Sequence, residues 1–447
     1  MRVLALFLIL SATIAGEPPR PEPRMSFLDN GTLKIGADLA LGGAITWLSH
    51  RERPDNLINS HDLGRQIQMS HYSGPVPFQP QGTTLKPEWR TIGWNPIQTG
   101  DVFGHPSRVL EHRNDGRELY VKCVPMHWPL DNVPGECVFE SWTTLDGPTV
   151  TMRFRATNAR PDQTRYQARN QELPAVYVIS ALHRFMSYTG ERPFTGGDLT
   201  HVTNDFRKPW PWTEQICTES WAALVGDDDW GVGVASGDIC VFHGGLFGKA
   251  GSHDVRDSTT TYLAPVRKEV FDHDMVYGYT TVMTLGTLAE IRTRLTAGAI
   301  RELPTWTFAN GRNHWYVIGG VDAGLPRDGV WTIPCEQGNP SLIGPVRCWR
   351  AEDAPRIAIK AAWNGPAAPA RLRWRCLGDS DFSDERSVPF TIPADGTVDA
   401  AINRVVVSLA AHPAYQGMIT GLRIDPPPGR QPQARLTVRA VVVQRAR

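Results

Sequence analysis

Apolar and polar residues alternate in short runs along most of the chain, as in Thr32–Ile35, Ala44–Leu48, Leu119–Val124, Val150–Ala156 and Val176–Ile179. Similar runs follow at Trp230–Ala235, Asp238–His243, Thr280–Leu285 and Ile357–Ala362, separated by Gly, Pro, Asn and Asp. A period of two puts successive side chains on opposite faces, so the pattern predicts packed antiparallel sheets. One stretch departs from it. Thr287–Leu295, TLAEIRTRL, places Leu288, Ile291 and Leu295 on one side at helical spacing. It predicts a helix that closes a first domain of residues 25–300, with Arg301–Thr305 as the connector. Beyond Trp306 the strand pattern resumes: Arg371–Arg375, RLRWR, sets Leu372 and Trp374 against arginines, and further runs follow at Asn403–Leu409, Ile419–Ile424 and Ala434–Val443. The expected fold class is all-β, a large multi-sheet domain followed by a smaller β-sandwich of jelly-roll type over residues 306–447.

The first residues follow a different logic. Met1 and Arg2 precede the apolar run Val3–Leu10 and the small residues Ser11, Ala12, Thr13 and Ala15, the layout of a secretory signal over residues 1–15. That run is too short for a comfortable membrane span. Residues 16–24, GEPPRPEPR, read as an extended proline-rich linker. The expectation is a secreted or periplasmic protein without a membrane span.

Composition narrows the field. Lys plus Arg and Asp plus Glu both total 46, a formal charge of zero, which argues against general nucleic-acid binding because that needs a basic surface. Seven cysteines are few for a disulfide scaffold, yet in an exported chain some should pair, with Cys123–Cys137 and Cys335–Cys348 the short-range candidates. No C-x-x-C or His-x-x-x-His spacing occurs, so neither a structural metal nor a cofactor is expected.

The densest polar stretch is Asn56–Gly74, which brings Asp62, Arg65, Gln66, Gln68, His71 and Tyr72 together among few aliphatics. As a strand it would set Gln66, Gln68 and Ser70 on one face, chemistry suited to sugar hydroxyls, with Arg65 available to clamp a carboxylate or sulfate. The competing reading is a buried polar network that ties loops to a sheet.

Three other stretches supply candidate chemistry. Glu88–Gly104 contains Trp94 and Asn95, suited to stacking and hydrogen bonding in a sugar subsite, or simply to pinning a surface loop. Met126–Trp142 contains His127 and Trp128, with His127 a candidate proton-transfer group or a structural histidine. Arg165–Tyr177 contains Glu172, just before Pro174 and an apolar strand, which makes it the first choice for a catalytic carboxylate at a sheet rim, the alternative being a turn glutamate paired with Arg165 or Arg169. His253, Asp254, Asp257, Asp272, His273 and Asp274 form a further polar cluster with no recognised ligand spacing, and Trp315, Tyr316 and Trp349 are aromatics for either sugar stacking or core packing.

The early glycine-marked strand Leu41–Ser49, LGGAITWLS, followed by the arginine-bearing polar segment and many strands, resembles the galactose mutarotase-like fold, a β-supersandwich. That resemblance implies a sugar bound on the concave face of a sheet. Gly417–Pro428, GMITGLRIDPPP, resembles the closing strands of carbohydrate-binding jelly-roll modules. No Asn-His-x-x-Phe-Asn motif of the epimerases is present, so simple mutarotation is not the expected reaction.

Together these readings predict an exported glycan-degrading enzyme acting on a polysaccharide or oligosaccharide. Hydrolysis would use Glu172 and Asp62, two carboxylates flanking the scissile bond. Elimination from a uronate would use His127 or Tyr72 as base, with Arg65 on the carboxylate. A non-catalytic glycan binder would need only the polar face and the aromatics. In each case Arg65, Gln66, Gln68, Tyr72, Trp94, Asn95 and Trp128 are the expected substrate contacts.

Overall fold

The computed structural model describes residues 21–205, 207–208, 213–365, 368–393, 402–428 and 433–446. The expected signal segment and most of the linker therefore lie outside the described residues. The fold is all-β, as the alternation predicts. Residues 25–287 form two large antiparallel sheets. The first has ten strands, and its main path runs Met25–Asp29, Leu33–Asp38, Ala44–His50, Ile67–Ser70, Arg169–Ile179, Thr260–Glu269, Val241–Phe247 and Thr213–Ile216. The second has nine and packs against it, so that Leu173, Val176 and Val178 of the first sheet share a core with Met152, Phe154 and Leu285 of the second.

Alternation also dictates what the other face of the first sheet carries. Tyr177 falls between the inward Val176 and Val178, and with Ala175, Tyr262, Ala264, Val266 and Val241 it forms a separate apolar cluster on the outward face. A one-residue irregularity sits in the middle of this strand: Glu172 is opposite Val266, but Val176 is opposite Leu263. Four steps on one strand match three on its partner, a bulge around Pro174. Such an extra residue reverses the side-chain phase. Strict alternation back from Val176 would point Glu172 into the core; the bulge turns it outward, beside Tyr177.

The helix Leu288–Ala297 begins with a capping box in which Thr287 and Glu290 satisfy each other's backbone N–H groups. Ile291 and Leu295 pack it against Trp221 and Ala223. Gly233 permits that approach, since a Cβ there would lie 2.2 Å from Ile291.

Residues 305–444 form a second pair of sheets, five- and six-stranded, around a tryptophan-rich core. Leu372 and Trp374 face this core as expected. Trp315 and Trp349 belong to it too, buried rather than displayed for sugar stacking, Trp315 set edge-on to Trp306 and Trp349 donating its indole N–H to the Tyr415 hydroxyl; Tyr316 alone of the three is half-exposed. All seven cysteines are free thiols. Cys137 adjoins Cys123, and Cys348 meets Cys240 rather than Cys335, since the fold carries residues 240 and 348 to one seam. No described helix is long and apolar enough to cross a membrane.

Candidate functional site

The outward face of the first sheet holds a carboxylate surrounded by phenols. Tyr72 donates its hydroxyl to Glu172 Oε2 at 2.8 Å, and Tyr262 donates to Oε1. The Tyr177 ring lies tilted against Tyr262, with ring centroids 4.8 Å apart. Gln171, one residue back and on the opposite face, fixes the arrangement from behind: its amide accepts from the Tyr72 backbone N–H at 2.9 Å and donates to the Tyr72 carbonyl at 2.8 Å. Burial first, and then the charge of Glu172, hold the Tyr72, Tyr177 and Tyr262 phenols well above their usual range. They are fixed hydrogen-bond donors at neutral pH, not bases. Glu172 thus has both oxygens engaged by neutral donors while its residue remains half-exposed.

Asp62 stands at the rim of this group. Its charge, like that of Glu172, bears on the Tyr177 phenol. Asp62 is 41% exposed and ion-pairs with Arg65 at 3.3 Å. Gly64 lies under the Trp128 ring, where a Cβ would come within 2.8 Å of the indole. Trp128 itself is half-exposed and set edge-on to Trp89, so it borders the same rim.

The other expected contacts are placed elsewhere. Arg65 does not present a free guanidinium, because its Nη1 donates to the carbonyls of Ser258 and Asp257 and to the Asn59 side chain, binding the 57–66 and 257–259 loops together. Gln66 adopts a positive φ of 76° and folds its amide back onto the Asp62 carbonyl at 2.7 Å. Gln68 donates to the Leu63 and Arg65 carbonyls and accepts from Thr99. Both amides are buried, so here the loop-tying network is what the structure contains. His127 is fully buried and donates to Glu136 at 2.9 Å, and the Trp94 indole donates to the same carboxylate at 3.0 Å. Asn95 is buried and donates to the His71 carbonyl at 2.9 Å. These three brace the loops behind the sheet and do not reach the outward face.

Several residues on that face escaped the sequence reading. Tyr177 and Tyr262 belong to it, as does His243, whose Nε2 donates to Glu214 at 2.9 Å. Alternation within Ala175–Ile179 and Thr260–Val266 carried the signal for both tyrosines. What joins Tyr262 to Glu172 is strand pairing across about ninety residues, which no local pattern shows.

The 253–274 polar cluster does not assemble. Asp254 and Asp257 cap turns, while Asp272 pairs with Arg312 at 3.0 Å and Arg165 at 3.3 Å. Asp101, His105 and Asp131 do bring potential metal-ligating atoms within 4.8 Å of one another. Asp101 already accepts from the backbone of Phe103, His105 and Asn132, which is the work of a loop staple.

No family model matches the chain, and no curated protein matches it. Among solved structures it is similar to galactose mutarotase-like proteins. One is a galactose mutarotase related enzyme from Lactobacillus acidophilus, with 11% identity and a TM-score of 0.36, covering 59% of this chain and 98% of that one. A galactose mutarotase-like protein from Lactobacillus casei has 10% identity and a TM-score of 0.36, covering 59% and 100%. A low-affinity xylan-binding module from Roseburia intestinalis has 10% identity and a TM-score of 0.23, covering 32% and 96%.

Proposed function

We propose that the chain is an exported carbohydrate-active enzyme whose sugar site is the outward face of the first sheet, and that the reaction is glycoside hydrolysis with Glu172 as the principal carboxylate and Asp62 as the second. The observation that carries this reading is the Glu172 carboxylate held on an accessible sheet face by Tyr72 and Tyr262, beside the Tyr177 ring. Phenol donors orient a carboxylate without neutralising it, so it remains able to accept a proton or attack an anomeric carbon. Aromatic rings beside it suit the apolar face of a sugar, and Trp128 extends that surface at the Asp62 rim.

Elimination by the bases first considered has less support, since Tyr72 stays protonated and His127 is buried against Glu136. A second reading keeps elimination through His243, whose ring is oriented by Glu214 on the same face. The test is to incubate the purified chain with neutral, uronate-containing and sulfated polysaccharides while following reducing ends and ultraviolet absorbance together. Reducing ends without absorbance are expected. Absorbance rising in step would transfer the reaction to elimination and to His243, and neither signal on a glycan that demonstrably binds would leave a binding protein.

A further inference from the structure

Where the outward face of the first sheet runs under the second pair of sheets, a cleft of about 220 Å³ opens between them. Asn170, Lys268 and Glu214 line it from the first sheet, and Tyr316, Gly344 and Arg375 from the other side. Its charges are unevenly committed. Glu214 is already engaged, accepting from His243 at 2.9 Å and from the Asn170 side chain. Of the three cationic residues that line it, Arg267 is clamped to Asp238, while the Lys268 ammonium lies 5.3 Å from the Tyr316 centroid and the Arg375 guanidinium, whose charge also bears on Glu214, lies 5.0 Å from that of Phe382. The Arg375 Nε–H is buried without a partner. Sugar hydroxyls can accept from these donors, but a carboxylate or sulfate also matches their charge, and Tyr316 offers a flat apolar surface alongside.

The position of the cleft relative to Glu172 gives the second part of the argument. Asn170 is opposite Lys268 just as Glu172 is opposite Val266. The cleft therefore begins one same-face step along the same two strands, roughly 7 Å from Glu172. A chain laid along the strands would occupy both places at once.

We infer that this cleft is a subsite for an acidic sugar unit, bearing a carboxylate or a sulfate, in the same glycan chain whose neighbouring unit lies at Glu172. The inference rests on the carbohydrate reading above and adds the substrate's charge, and the need for both pairs of sheets, to it. Lys268 and Arg375 bind the acidic group, and Tyr316 stacks on the ring.

The experiment titrates the full chain carrying Glu172→Gln, which prevents turnover, with an oligogalacturonate, its carboxyl-reduced neutral counterpart and a sulfated ester of that counterpart. At least one acidic probe is expected to bind tenfold or more tightly than the neutral one, with the preference shrinking as salt is raised. Adding Lys268→Gln and Arg375→Gln together should erase the preference. The single substitutions, each expected to remove part of the preference, keep the test decisive if the combined variant does not fold. Equal binding of neutral and acidic probes, or a preference that survives both substitutions, overturns the inference and leaves hydrolysis of neutral glycans standing. Failure of every probe to bind, with none cleaved by the unsubstituted chain, overturns the carbohydrate reading and this inference with it.

Discussion

Two sets of buried or half-buried carboxylates occupy the molecule, and they are held by opposite means. At the seam between residues of the two sheet pairs, Asp238 is clamped by Arg267 and Arg347, and Asp272 by Arg312 and Arg165. On the outward face, Glu172 is held by the hydroxyls of Tyr72 and Tyr262. A carboxylate bracketed by cations has its charge cancelled in place and serves to join structure. One bracketed by phenols is oriented equally well, but its charge is available to a ligand. The count of acidic residues would not separate the two groups; the identity of the donors does.

Removing a cation from the seam should show the largest effect on folding. Arg312 is 7% exposed and bridges the buried Asp272 and the partly exposed Asp322, so Arg312→Met leaves Asp272 with Arg165 alone and Asp322 without its ion pair, and should cost about 3 kcal/mol in denaturant unfolding. Glu172→Gln, which leaves a partner for each tyrosine, should cost far less. Equal losses in the two variants would erase the distinction between seam and face.

Acid should act in two stages. Burial lowers the His71 pKa to about 4 from 6.5, the ring being stacked on Phe271 and bonded to Gln171. Between those values the unfolded chain binds a proton that the folded chain refuses, so stability falls as pH drops through this window, on the order of 3 kcal/mol. His71→Gln should flatten that limb of the unfolding profile. The seam responds lower down. Burial would raise the Asp238 and Glu269 carboxyls, but Arg267 and Arg347 around Asp238, and His314 with Arg267 around Glu269, outweigh it and hold both below the usual carboxylate range. Their contribution is present above that range and disappears as pH falls through it.

Deleting one phenol sharpens the contrast from the other side. Tyr262→Phe removes a hydrogen bond to a charged group and should cost about 1.5–3 kcal/mol, read as slower turnover together with modest destabilisation. Asp62→Asn, at a 41% exposed position with one ion pair, should alter unfolding by less than about 1 kcal/mol while still reducing turnover.

How much of this was legible in the sequence differs between fold and site. Strand alternation and the helical spacing of Leu288, Ile291 and Leu295 are local, and they located the sheets and the one convincing helix. Glu172 stands out in the sequence because it precedes Pro174 at a strand, though the bulge that aims it outward depends on pairing with Thr260–Glu269. Gln66 and Gln68 looked like a ligand-binding face because the reading assumed extended backbone at Gln66; its positive φ turns the amides back onto the loop. His127 and Trp94, both buried, bind the half-exposed Glu136 in a compact group whose chemistry resembles that of an active site, and the burial of the imidazole and indole tells them apart. Tyr262, Lys268 and Arg375 come from strands distant in sequence, where composition is silent about proximity.

The most direct measurement is turnover and glycan affinity determined side by side for the unsubstituted chain and Glu172→Gln. The account predicts that turnover falls about 10²–10⁴-fold while affinity and melting temperature stay close to their original values. Turnover that survives the substitution, on a glycan that both proteins bind, would contradict the assignment of Glu172 as the reacting carboxylate.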